Sequence, residues 1–196
     1  MGGAGVNLGG MDPHRLPAEI LTARLVVRLA REEDGPAVAD AIEETLDQLV
    51  PWFKWAELLD SWGDRGDFEG RALTAVRRFE EGEGPTYYLW AAGRLVGEVW
   101  LGAEASRFDV LNYNVWVRRS AVGSGYGAEG TRAVLSAAFT AGFEAVEALV
   151  RSVNPQSRLL LTAVGFRRHG WFQQLERYVV DRDTLIPEAR ARTSSG

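Results

Sequence analysis

Five residues, Gly123-Ser124-Gly125-Tyr126-Gly127, constrain this chain more than any other segment. They follow a β-patterned stretch ending at Val117 and open an apolar-periodic stretch over about Tyr126 to Ala141. Glycines there let the backbone turn tightly and bring N–H groups against a ligand. A helix N-terminus adds unpaired N–H groups and the positive end of its dipole. Together these make a phosphate cradle, although the loop alone fits equally a turn that only starts a helix. A P-loop ends in Gly-Lys-Ser/Thr, whereas Gly127 is followed by Ala128 and Glu129, so that reading fails. Gly123-x-Gly125-x-x-Ala128 does fit the relaxed dinucleotide fingerprint, with Glu144 and Glu147 near the distance of a ribose-binding acid. An antiparallel hairpin precedes the loop, however, and dinucleotide binding stays a minor alternative.

The order of elements gives the loop its context. Residues 1–18 read as a flexible lead, with Met11 a candidate start, and 188–196 as a flexible tail around a domain over 19–187. Leu21 to Leu29 reads as a strand and Glu32 to Leu49 as a helix, with Pro36 in its first turn and Pro51 after its end. Trp52, Phe53, Trp55 and Trp62 crowd the next stretch, before a helix over Phe68 to Phe79. Thr86 to Ala91 and Leu95 to Leu101, joined by Ala92-Gly93-Arg94, form the clearest hairpin. Asp109 to Val117 reads as a strand, then come the glycine loop and its helix, a strand over Ala145 to Val150, a helix over Pro155 to Ala163 and a last strand over Trp171 to Val180.

Composition removes several chemistries. The 196 residues suit one domain. The absence of cysteine removes disulfides, thiolate nucleophiles and Cys-based zinc sites. The two histidines, His14 and His169, make a His-rich metal site or a Ser-His-Asp triad hard to build, so no metal is expected. A net charge of -5 argues against direct nucleic-acid binding. No apolar run approaches the roughly 18 residues of a membrane span, and the Gly-rich start lacks the pattern of a signal peptide. A cytoplasmic monomer or homodimer is the expectation.

The ordered set of motifs resembles the GNAT N-acetyltransferase superfamily, and within it the RimJ/RimL branch, over about residues 20–181. The residues that carry the resemblance begin with Leu21-Thr-Ala-Arg-Leu, Val96-Gly97 and Trp116. Gly123-Ser-Gly125-Tyr-Gly127-Ala-Glu129, Ala138-Phe139, Asn154, Ser157 and Gly165-Phe166 complete them. The resemblance implies an α/β (α+β) fold: a mixed, mostly antiparallel sheet with splayed central strands, flanked by helices. It implies acetyl-CoA as co-substrate and direct transfer to an amine without a covalent enzyme intermediate. The favoured acceptor is a protein N-terminal α-amine. The alternatives are a small-molecule amine (polyamine, amino acid or aminoglycoside) or a non-catalytic acyl-CoA-binding module.

The resemblance also implies roles. Amides of Val122, Gly123, Ser124, Gly125, Tyr126 and Gly127 face the pyrophosphate, and Trp116 and Val117 pair by backbone with the pantetheine arm. Ser120 stands where the family's loop has Gln or Arg, which brings in Arg118 and Arg119 as substitutes. Asn154 contacts the coenzyme arm and is equally a helix N-cap before Pro155. Ser157 sits where the departing thiolate is protonated, or is a first-turn serine. Glu98 is the candidate base, or an exposed strand glutamate; the branch's later glutamate is replaced by Gln173 and Gln174, with Glu176 beyond. Trp52 and Trp55 are candidates for the acceptor wall, or core. Asn114 is a candidate to orient a peptide. Arg151, Arg158, Arg167 and Arg168 are candidates for the coenzyme's 3′-phosphate, or solvated surface.

Overall fold

A computed structural model describes residues 12–102 and 110–187. Its centre is an eight-stranded sheet in the order β1-β2-β3-β4-β5-β6-β8-β7. The strands are β1 (Glu19–Leu21), β2 (Val26–Leu29), β3 (Thr86–Ala91), β4 (Arg94–Gly102), β5 (Leu111–Val117), β6 (Ala145–Val150), β7 (Arg167–Phe172) and β8 (Leu175–Asp181). Helices α1 (Gly35–Leu49), α2 (Lys54–Trp62) and α3 (Arg65–Glu80) pack on one face with Tyr88, Leu95 and Trp116. Helices α4 (Tyr126–Thr140) and α5 (Pro155–Val164) cover the other, over Val27, Leu89, Val99 and Val146.

All strand pairs are antiparallel except β5 with β6, which match only at Leu111↔Val146 and Asn112↔Glu147. Beyond those rows the two strands diverge. From Tyr113 to Val117, β5 keeps β4 as its partner and leaves its other edge open. This is the splay that the family resemblance implies.

Both ends of the sheet depart from the sequence reading. The strand expected over Leu21 to Leu29 is a hairpin, reversed where the Thr22 hydroxyl accepts the Leu25 N–H at 2.9 Å and the Thr22 N–H meets the Leu25 carbonyl at 3.0 Å. The strand expected over Trp171 to Val180 is also a hairpin, turning at Gln173, a non-glycine residue with φ 54°. The aromatic stretch contains α2, whose N-cap Phe53 offers no side-chain cap and whose fully buried face, among the described side chains, is Ala56. The flexible lead expected over 1–18 is docked where it is described: Leu16 is buried in the core and the Pro17 carbonyl accepts the Tyr87 hydroxyl at 2.6 Å. Residues 1–11, the Asp109 start of the fifth strand and the 188–196 tail lie outside the described residues.

Candidate functional site

The splay opens into a cavity of about 660 Å³ that runs from the glycine loop, between β5 and β6, to the C-terminal end of α1. That volume lies in the range of small-molecule sites. One side is Val122, Gly123, Gly125, Tyr126 and Gly127 with Asn154 and Ser157 of α5. The other is Gln48 and Leu49 of α1, Trp52, Phe53 and Asn114.

The loop is built as an amide cradle, with a narrower fan than expected. Gly123 and Gly125 both sit at φ 82°, a left-handed conformation that L side chains adopt only under strain. Within the loop, the Val122 N–H is spent on the Arg119 carbonyl (3.1 Å) and the Ser124 N–H on the Ala121 carbonyl (3.3 Å). Helix α4 closes its first bond from the Glu129 N–H to the Gly125 carbonyl at 3.0 Å. Among the described residues, the amides of Gly123, Gly125, Tyr126, Gly127 and Ala128 are therefore left without a backbone acceptor at the positive end of the helix. Ser124 is outside the cavity wall, and its carbonyl accepts Arg24 at 2.8 Å.

Arg24 and Glu129 hold this loop, a role that sequence reasoning missed. The Glu129 carboxylate is buried and accepts the Thr22 hydroxyl (2.6 Å), the Arg24 amide (3.0 Å) and the Arg24 guanidinium (2.7 Å). Burial pushes its pKa up, but these hydrogen bonds and the adjacent charge prevail and hold it below the usual carboxylate value. The Arg24 guanidinium also lies 4.8 Å from the centre of the Tyr126 ring. The signal was the pairing of Thr22-Ala-Arg24 with the glutamate that follows the glycine loop; one sequence does not say that they meet.

Arg118 and Arg119 do not reach the loop. Arg118 is buried and donates to Glu44 of α1 at 2.5 Å, while the Arg119 side chain pairs with Asp47 and its amide donates to Thr45 at 3.1 Å. Four acids on one α1 face, Asp40, Glu43, Glu44 and Asp47, make that side the stronger attractor for cations. Glu44 also accepts the Ser120 N–H at 2.8 Å. Burial raises its pKa, but the hydrogen bonds from Ser120 and Arg118 outweigh this and set it at about 2. The turn over Arg119–Ala121 is thus held by a carboxylate from α1.

Trp116 and Val117 line the cavity from the open edge of β5, and Asn114 is exposed on the same strand. The Asn154 Oδ1 accepts the Ser157 N–H at 3.0 Å, so the cap is real and the side-chain NH₂ remains for a ligand. Ser157 lies in the wall, and its hydroxyl makes no hydrogen bond among the described residues. Trp52 is in the wall, whereas Trp55 is not: its ring stacks on Arg71 of α3, 3.6 Å from the guanidinium carbon. The side chain of Trp62 lies outside the described residues. Arg151 lines the cavity, while Arg158, Arg167 and Arg168 do not.

Glu98 is buried rather than exposed. It sits behind the cavity in the cross-strand row Tyr88–Glu98–Trp116, on the helix α1–α3 face, with Arg71 at 3.9 Å. Burial raises its pKa, opposed by Arg71 and the nearby Trp116 indole. That indole N–H lies close to the carboxylate but forms no hydrogen bond of good geometry among the described residues. Glu176, another buried carboxylate, accepts the Tyr178 hydroxyl at 3.1 Å and lies 3.6 Å from Arg168. No carboxylate lines the cavity itself among the described residues. Nor does any cluster of His, Asp and Glu there suit a metal ion.

The family model described as Acetyltransferase (GNAT) domain matches residues 24–167. No curated protein matches the chain. Among solved structures the chain is similar to RimL, a ribosomal L7/L12 α-N-protein acetyltransferase in complex with coenzyme A. That TM-score is 0.74 at 15% identity, covering 86% of this chain and 98% of that one. RimJ of Mycobacterium smegmatis, in complex with a CoA-disulfide, gives 0.69 at 20% identity over 86% and 85%. MccE, a microcin C7 self-immunity acetyltransferase in complex with acetyl-CoA and AMP, gives 0.73 at 10% identity over 84% and 97%. At such identities the likeness is one of fold.

Proposed function

This chain belongs to the GNAT acetyltransferase family, and from that premise we propose that it carries acetyl-CoA in the β5–β6 cleft and acetylates the N-terminal α-amine of a protein or peptide. The amide fan of Gly123 to Ala128 suits a pyrophosphate, and the open edge of β5 suits an amide-bearing arm. Bound there, acetyl-CoA supplies an activated acyl group. The chain's residues then supply position, which removes much of the entropic barrier to joining amine and thioester.

The observation that carries the choice of acceptor is that no carboxylate lines the wall among the described residues. Its acceptor side is Gln48, Trp52, Phe53 and Asn114, and its single charged residue among the described residues is Arg151. A polyamine or aminoglycoside would leave water there with several positive charges and no counter-ion. An α-amine avoids this. With a pKa of about 7.7–8.0 it is roughly a quarter to two fifths neutral at about pH 7.5, against roughly a thousandth for lysine. A weak base then suffices, and Glu98, kept above the usual carboxylate pKa by burial, is the proton acceptor we favour, acting through water rather than by contact.

The test is thioester consumption with N-terminal peptides, a polyamine and an aminoglycoside, with products identified by mass spectrometry. Acetylated peptide α-amine is expected. Faster turnover of the polyamine or aminoglycoside overturns the assignment of acceptor. Saturable CoA binding with no acetylated product from any acceptor identifies a binding module instead.

A further inference from the structure

Glu98 is held in an unusual way for a buried carboxylate. Its nearest cation, Arg71 Nη2, stands 3.9 Å from Oε1, too far for a hydrogen bond. The Arg71 Nε is itself buried with no partner among the described residues. Nothing in the ion pair therefore fixes the guanidinium where it stands. The Trp55 ring does, with the guanidinium carbon over it at 3.6 Å from the ring centre. Trp55 is reached in turn from the cavity: Phe53, in the wall, is 5.6 Å from the Trp55 ring, centre to centre.

We propose that Arg71, clamped by Trp55, is a positioning residue that supplies the counter-charge to Glu98 and readies it to receive the acceptor's proton. The reading rests on the assignment of Glu98 made above. The other groups around Glu98 do not serve in its place. Tyr88 on β3 is a neutral hydroxyl whose pKa burial pushes far up. Arg78, also on α3, acts on Glu98 only through space and donates to Glu83 at 2.6 Å. Arg28 and Asp34, beside Tyr88, neutralise each other at 2.6 Å. On β5, Trp116 brings an uncharged indole. Arg71 is the near cation, and α2 sets its position through Trp55. The same short stretch thus gives Trp52 and Phe53 to the cavity wall and Trp55 to the group behind Glu98.

The direct test is a ¹³C NMR titration of the Glu98 carboxyl in the free, full-length protein, its signal identified by loss in Glu98→Gln. An opposite charge at this range lowers a carboxyl by about 1–3 units. Arg71→Gln is therefore expected to move the midpoint up by about one unit or more. Trp55→Ala frees Arg71 toward solvent and moves it the same way by about half as much. Arg71→Lys, which keeps the charge, stays closer to wild type than Arg71→Gln. In the transfer assay the acid limb of kcat/KM follows the midpoint in each variant, which a merely structural role would not produce. A midpoint that Arg71→Gln or Trp55→Ala leaves within about 0.3 unit of wild type overturns the proposal. If Arg71→Gln does not fold, Trp55→Ala carries the test with the same criterion. Because the titration needs no turnover, a wild-type protein that acetylates nothing sinks the assigned function alone, and normal turnover with an unmoved midpoint sinks the clamp alone.

Discussion

Replacing Glu98 by Gln should stabilise the protein while disabling it, and the two effects have one cause. A unit charge 3.9 Å away is worth about 4 kcal/mol at an effective dielectric of about 20, whereas burying one ion costs several kcal/mol. Burial is the larger influence on Glu98, since its pKa is raised despite Arg71. A residual penalty on the charged form remains, of order 1–3 kcal/mol. The sign follows from linkage. With its folded pKa above the unfolded one, Glu98 contributes stability that is fully present below the unfolded pKa and lost as pH rises through the folded pKa. Gln has no such loss. At pH about 4 the variant and wild type should melt together; by pH about 8 the variant should melt higher by roughly 2–12 °C, using about 2–4 °C per kcal/mol for a domain of this size. Losing the proposed base should lower kcat/KM about 100-fold or more with the peptide acceptor. Calorimetric melts from pH about 4 to 9, beside thioester assays, check both. A variant that melts lower than wild type at alkaline pH, or a difference that does not change with pH, refutes the reasoning.

Gly125→Ala places a side chain at φ 82° and 3.2 Å from an Arg24 nitrogen; it should cost about 1–2 kcal/mol of stability and weaken coenzyme binding in calorimetry by about tenfold. Arg24→Met leaves the buried Glu129 without its cation and, because Arg24 is half exposed, should cost about 1–3 kcal/mol in a denaturant titration and loosen coenzyme binding. Glu44→Gln removes a carboxylate whose pKa is about 2, so its stabilisation is complete above the unfolded value and disappears as pH falls toward 2. Its melting point should drop by about 3–6 °C at neutral pH and converge with wild type in acid. Ser157→Ala should lower kcat by about tenfold with little change in coenzyme affinity, read from single-turnover and binding assays.

The glycine loop was legible because its chemistry is local: a β run, two glycines and a helix suffice to place amides at a helix N-terminus. The central hairpin was legible for the same reason, since Gly93 supplies positive φ at the turn between two β-patterned runs, with Ala92 carried along at φ 48°. The outer hairpins were not, because Thr22 and Gln173 turn the chain without glycine, asparagine or proline at the bend. Arg118 and Arg119 were misread because proximity to the loop in sequence outweighed the unseen acids of α1, about 74 residues away. Glu98 is the instructive case. Its identity as a strand glutamate was plain, but its burial depends on α3 crossing the sheet, a long-range contact that no local pattern encodes.

The acids of this fold divide by what answers their burial. Glu44 and Glu129 lie within reach of the glycine loop, where bare negative charge would repel a pyrophosphate. Each is instead hydrogen-bonded and paired, Glu44 with Arg118 and Arg94, Glu129 with Arg24, and each pKa is lowered. They stay ionised across the working pH range, so the loop they frame does not soften as solution pH changes. Their charges are cancelled locally, leaving amides and a helix end as the attraction for the anion. Glu98 has the opposite arrangement: one cation at 3.9 Å, no hydrogen bond of good geometry, and a raised pKa. A carboxylate that is costly to keep charged gains by taking up a proton. Among the described residues, the difference between the frame and the proposed base therefore lies in the number of donors that each carboxylate is given, four for Glu129 counting both guanidinium nitrogens of Arg24, against one distant guanidinium for Glu98.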